Sequence, residues 1–273
     1  LLGMDKAVSL LIDVIKLNNR LIIVGDFDAD GATATALVMR AMRSFGAQFV
    51  DFIVPNRFDY GYGLSPELVS DLTDNKADVL ITVDNGISSH QGVALAKSLG
   101  MQVIITDHHL PPSPLPDADA IINPNLNGDD FPSKNLAGVG VAFYLMAKLK
   151  STLQKAGWFE ERNLPVPNVA AWLDLVALGT VADVVKLDDN NRILVNAGLK
   201  IIQKDRCVAG IKALLTVAGR QAKDTDSSTL GFVLAPRLNA AGRLEDMSLG
   251  INMLISDDAV TVKQLAQSLD DIN

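Results

Sequence analysis

Asp26, Asp28 and Asp30 stand at alternate positions ahead of Gly31 in "VGDFDADG" (residues 24–31). Asp84 opens Asp84-Asn85-Gly86, and Asp107-His108-His109 holds two of the chain's 3 histidines. Carboxylates and imidazoles in this mixture suit hard or borderline divalent ions such as Mn2+ or Mg2+. Without cations, so many acids brought together would raise one another's pKa. Two ions sharing a carboxylate hold the nonbridging oxygens of a phosphate and activate a water for in-line attack. The first stretch also imitates half of a calcium loop, with oxygen ligands at positions 1, 3 and 5 and glycine at 6. Position 12, where that loop needs a bidentate Glu, is Leu37. The segment in front is a short β-branched run rather than a helix. The calcium-loop reading fails at both ends.

Each cluster follows an apolar run that reads as a strand. The runs are Leu21–Val24, Gln48–Val54, Val79–Val83 and Gln102–Thr106. Between them Thr33–Phe45, Ser65–Leu72 and Ser89–Leu99 have helical spacing, and Ser65-Pro66 supplies an N-cap followed by Pro at the first helical position. This rhythm predicts an α/β fold with a mostly parallel, doubly wound sheet, and ligands beyond the C-terminal strand ends. The three polar tips then share one edge, so five acids and two histidines converge. Residues 111–132, rich in Pro, Asp and Asn, read as an irregular excursion with a short strand at 120–122. A mainly helical segment follows, with helices expected at 138–150, 169–178, 191–203 and 210–217. Residues 1–217 are expected to form the first domain. The polar stretch 218–229 reads as a connector to the start of a second domain, with a final helix at 258–271.

Composition bounds the rest. A hydrophobic content of 48% excludes disorder, and a single cysteine, Cys207, excludes an intrachain disulfide and fits a reducing compartment. Cys207 has no ligand partners near it and reads as a buried or incidental thiol. No run is long enough to span a bilayer. The net charge of −8 argues against a nucleic-acid wrapper, an argument that bound divalent ions would weaken. His90 sits at a helix start and reads as solvated.

Asp183, in "GTVADVV", is an acid in an apolar run; capping a helix or pairing with Lys186 explains it as well as metal does. "APRLNAAGR" sets Arg237, Asn239 and Arg243 among small residues, where arginines can grip phosphate in a bidentate way. "PNRFDYGYGLS" adds Arg57, Phe58, Tyr60 and Tyr62, aromatics that can stack bases or simply pack a loop.

In order and spacing, "VGDFDADG", "VDNGIS", "TDHH" and "GTVADVV" resemble the four signature motifs of the DHH phosphoesterase superfamily. Within it, "NPN", "LAGVGVAFYLMAKL" and "RLNAAGR" are similar to its bacterial exonucleases specific for single-stranded DNA, and the likeness runs from about Leu21 to the end. The resemblance implies hydrolysis of single-stranded DNA, 5′→3′ to mononucleotides, in DNA repair and recombination. It implies one or two Mn2+ or Mg2+ ions, a cytoplasmic location, and a single-strand-binding protein and a helicase as partners. Carried over by position, it makes Asp28 and Asp84 ligands of one metal. Asp30, Asp84, His108 and Asp183 become ligands of the other, with Asp84 as the bridge. Asp26 belongs to the first motif. His109 would contact the scissile phosphate and Asp107 would orient the histidines; Arg237 and Arg243 would assist catalysis. Arg237, Asn239, Arg243, Arg57 and Tyr62 would hold the nucleic acid. Many relatives carry a histidine four residues before the position of Asp28; Val24 stands there, leaving the first metal a ligand short. The resemblance further implies a GGH-type domain and an OB-fold, neither of which is in these 273 residues. The same metal site would serve a relative acting on cyclic dinucleotides, short oligoribonucleotides or pyrophosphate. A non-catalytic replication scaffold would have lost metal-site residues.

Overall fold

The computed structural model describes residues 1–55, 61, 63–73, 77–244 and 246–273. Among these residues, five parallel strands form one sheet in the order β2-β1-β3-β4-β5: β1 Leu21–Val24, β2 Val50–Ile53, β3 Val79–Val83, β4 Gln102–Thr106 and β5 Ala120–Ile122. Helices cover both faces, so the central strands are apolar on both sides. Leu21 and Ile23 enter one core while Ile22 and Val24 enter the other, and β3 divides Ile81 from Leu80 in the same way. The smaller core lies under α3 (Pro66–Leu72) and α4 (His90–Ser98). The larger is built by α1 (Met4–Leu17), α2 (Ala29–Ser44), α5 (Gly138–Lys155), the four-residue α6 (Trp158–Glu161), α7 (Leu173–Ala182), α8 (Asp189–Gln203) and α9 (Ala209–Val217).

The strand order places a switch between β1 and β3. The chain leaves β1 through α2 to reach β2 on one side, then returns to β3 on the other. A crevice must open where these connections part, beyond the strand ends. Asn85 fixes its width, because its Nδ2 donates to the carbonyls of both Val24 (3.1 Å) and Val83 (2.9 Å).

Three elements differ from expectation. An amphipathic helix, α1, precedes the first strand. Helix α2 begins at Ala29, four residues before the expected start, so the acid-rich stretch is itself a helix N-terminus with Asp28 as its cap. The polar stretch expected to connect domains holds a 3₁₀ turn at Ala222–Asp224 and a buried Thr225, whose carbonyl accepts from Gln203. From there one helical run continues through α10 (Ser227–Thr229), a π turn (Leu230–Leu234) and α11 (Ala235–Leu244). Pro236 lacks an N–H and crowds the preceding turn, which accounts for the widened turn before it. Leu230, Leu238, and residues of α12 (Ser248–Ile255) and α13 (Ala259–Ile272) join the larger core. Cys207 is partly buried, and burial pushes its thiol up to about 12, which keeps it unreactive.

Candidate metal centre

The first wall of the crevice is the turn from β1 into α2. Asp28 Oδ1 accepts from Gly31 N at 2.9 Å, an N-cap bond that leaves its other oxygen for the crevice. Gly31 has no positive φ; its work is clearance, since a Cβ there would collide with the backbone of Asp26. In the first turn of the helix, Asp30 is buried and spans to another element. Its two oxygens accept from Gly138 N (2.6 Å) and Val139 N (2.9 Å), the first amides of α5. Ala137 cannot cap α5 with its side chain, so the Asp30 carboxylate does so from 108 positions away.

Asp84 follows β3 with φ 63°, a left-handed conformation unusual for a residue with a side chain, and is 1% exposed. It packs against Gly138, where a Cβ would overlap its carboxylate. The β4 tip brings Asp107, His108 and His109. Asp107 Oδ1 accepts from His109 Nδ1 at 2.7 Å and from the backbone amides of both histidines, while Oδ2 accepts from Ile87 N. Its side chain therefore orients the ring of His109, and reaches His108 only through the backbone. Asn125 and Asn123 complete the tip by donating to the carbonyls of His108 (2.7 Å) and His109 (2.8 Å), which gives "NPN" a purpose.

Asp183 enters from the helical part, immediately after α7, with its N–H bonded to Gly179 O. It caps no helix N-terminus; a carboxylate at a helix C-terminus opposes the helix dipole. Among the described residues no ion pair joins it to Lys186. Val184, the next residue, is 86% exposed and holds φ 61°, a rare conformation for a β-branched side chain. Gly179 lets α7 close on Thr33 and Asp30, where any Cβ would collide.

These residues meet in overlapping groups. Single ligand atoms of Asp26, Asp28 and Asp84 lie within 4.8 Å of one another, as do those of Asp30, His108 and Asp183, and of Asp84, His108 and His109. His108 Nε2 is 3.1 Å from Asp84 Oδ1 and 3.5 Å from Asp183 Oδ2. Among the described residues, buried His108 Nε2 and Asp183 Oδ2 nevertheless have no hydrogen-bond partner, the state of ligand atoms aimed at a cation. Burial, then the neighbouring His109, pushes His108 down to about 4, leaving a neutral ring able to offer a lone pair. Burial and the adjoining carboxylates push Asp30 and Asp84 well above the usual range, and Asp183 up to about 7. His109 behaves oppositely: its hydrogen bond to Asp107 raises it. Burial alone would raise Asp107, but the bond and charge of His109 outweigh it and hold the carboxylate low. The donor set fits hard or borderline divalent ions.

Among the described residues, two cavities open on these groups. The larger, about 790 Å³, is lined by Asp26, Asp28, Asp107 and His109 at one end and by Ser88, Ser89 and His90 at the other. The smaller, about 310 Å³, lies between Asp28, Asp30 and Asp183 on one side and Asn239 and Arg243 on the other. Arg237 does not border it. Its Nε pairs with Asp270 at 2.7 Å and its Nη1 donates to Val233 O. The reason is helical: Asn239 and Arg243 share a face at i and i+4, while Arg237 lies roughly 200° around the axis from Asn239. Arg57, Phe58, Tyr60 and Tyr62 lie outside the described residues. His90 is exposed at the start of α4, as expected. Asn85, Asn123, Asn125 and the α5 amides were not singled out from sequence. The motifs "VDNGIS" and "NPN" and the glycine of "LAGVG" were their signals.

Residues 20–180 match the model of the DHH family, N-terminal domain. The single-stranded-DNA-specific exonuclease RecJ of Escherichia coli (strain K12) is 58% identical over 271 residues, which is 99% of this chain and 47% of that protein. The chain thus spans about half the length of the curated relatives it matches. Among solved structures, that of exonuclease RecJ bound to manganese matches with a TM-score of 0.84 at 33% identity, over 100% of this chain and 66% of the other. RecJ from Thermus thermophilus in complex with Mn2+ matches with a TM-score of 0.80 at 31% identity, over 99% of this chain and 37% of that one. No helix among the described residues is long and apolar enough to cross a membrane.

Proposed function

The chain belongs to the DHH family, and on that premise we propose that it is the catalytic part of a metal-dependent phosphodiesterase that degrades single-stranded DNA, 5′→3′, to mononucleotides. One observation carries the reading: overlapping ligand groups meet around Asp84 at the switch-point crevice, with Nε2 of His108, unpartnered among the described residues, between Asp84 and Asp183. The names of the relatives support the substrate.

In this reading Asp28 and Asp84 hold one Mn2+ or Mg2+, with Asp26 as the third ligand where Val24 provides none. Asp30, Asp84, His108 and Asp183 hold the other. When bound, the ions polarise the phosphate and lower the pKa of a water. The chain's own groups do the remaining work. The α5 amides and Asn85 fix the ligands before substrate arrives, so little reorganisation accompanies reaction. His109, held by Asp107 in the wall of the larger cavity, would contact a phosphate oxygen there. Arg243, across the smaller cavity, offers a guanidinium to the backbone; Arg237 is engaged with Asp270 and is left out of that role. Single strands must be supplied by unwinding, so a helicase and a single-strand-binding protein are the partners we extend the proposal to, in the cytoplasm.

Hydrolysis of 5′-labelled single-stranded DNA with Mn2+, set beside a cyclic dinucleotide, tests the substrate. Mononucleotide release from the DNA alone is expected, and preference for the cyclic dinucleotide would reverse the assignment. Asp84→Ala removes a ligand from both groups and should lower the rate by at least about 10³-fold, since each metal contributes several kcal/mol.

A further inference from the structure

Ala29 opens α2 in the middle of the acid-rich turn, and its N–H is one of those that a helix leaves without an intrahelical partner. Asp28 commits its capping oxygen to Gly31 instead. The Ala29 N–H is satisfied from α11: it donates to Asn239 Oδ1 at 2.8 Å, across 210 positions of sequence. Ala29 is 1% exposed, so water has little access to replace that oxygen. Three positions further along α11, Gly242 rests on the same turn, so closely that a Cβ would collide with the carbonyl oxygen of Phe27. The small residues of "RLNAAGR" thus make room for the Phe27–Asp30 backbone, and the oxygen of Asn239 is already taken.

We propose that Asn239 is a positioning residue for the metal centre. Seated by Gly242, it holds the Phe27–Asp30 turn so that Asp28 and Asp30, on either side of Ala29, face different ligand groups. The inference rests on the metal reading above. It assigns "RLNAAGR" two faces of work: Asn239 and Gly242 on the turn, and Arg237 on α13.

The variants Asn239→Ala, Asn239→Asp and Gly242→Ala test it with two readouts. One is Mn2+ affinity by titration calorimetry in the absence of DNA. The other is amide hydrogen exchange of residues 26–32 in cation-free protein. Asn239→Ala is expected to weaken Mn2+ binding on the order of tenfold and to speed exchange of the Ala29 amide. Asn239→Asp keeps an oxygen in the same place and should hold affinity within about threefold of the parent. Gly242→Ala should repeat the loss with Asn239 intact. Folded Asn239→Ala that binds Mn2+ like the parent and still protects Ala29 would overturn the proposal. So would equal loss in Asn239→Ala and Asn239→Asp, which would transfer the role to the amide nitrogen. If the parent bound no Mn2+, the metal reading would fall, while exchange at Ala29 would still decide the clamp.

Discussion

Two of the overlapping ligand groups are built from different materials. Asp26, Asp28 and Asp84 come from the turns that end β1 and β3, and the first two line the larger cavity. Asp30, His108 and Asp183 are gathered from α2, the β4 tip and the end of α7, and the first of them is gripped by the amides of α5. The first group is all carboxylate and sits on turns. The second includes a neutral imidazole and is braced by helix ends. A site braced by packed helices is held more rigidly than one carried on turns, so the second group should bind its cation more tightly and tolerate less change.

Losing a ligand from each group should expose the difference. Asp183→Asn is expected to lower the hydrolytic rate by about 10²–10³-fold, against roughly tenfold for Asp26→Asn, because losing the tighter cation forfeits several kcal/mol. Equal losses would erase the distinction between braced and unbraced groups.

Proton linkage gives a second handle. Burial and neighbouring carboxylates raise Asp30, Asp84 and, to about 7, Asp183. Raised carboxyls favour the folded state below their unfolded pKa of about 4, and that contribution is lost as pH rises through the folded value. Cation-free protein should therefore lose stability between about pH 4 and 8, and Mn2+ should restore it at the upper end. Thermal melts with and without Mn2+ should differ little at pH 5 and by at least about 2–4 °C more at pH 8. A Mn2+ effect independent of pH would show that the second group does not carry this charge.

The smallest expected effect concerns Val184. Its left-handed backbone stores strain beside Asp183, and its exposed side chain buries little. Val184→Gly should raise the melting temperature by about 2–4 °C while weakening cation binding at the second group. A lower melting temperature would mean that the conformation is unstrained.

The first group was legible in the sequence for the reason that makes it less braced. Polar residues ending β-branched runs announce themselves one strand at a time, and parallel topology then brings the tips together. The second group was legible only in part. Asp183 ends a helix inside an apolar run, where no local pattern separates a ligand from a solvated acid, and only the ordered motifs pointed to it. The α5 amides that grip Asp30 carry no side-chain signature at all. In "APRLNAAGR" Pro, Asn and Gly lower helix propensity and hide the helix from a local pattern. Once it is seen as a helix, its period parts Arg237 from Asn239 and Arg243. Helix α1 went unread although its burial pattern, Ala7, Val8, Leu11, Val14 and Ile15, has helical spacing.

Anomalous scattering from a Mn2+-soaked crystal of this chain tests most directly whether two cations share Asp84. Two peaks flanking Asp84 are expected, one bounded by Asp26 and Asp28 and the other by Asp30, His108 and Asp183. No peak beside Asp84, or a single peak that leaves Asp30, His108 and Asp183 without a cation, would contradict it.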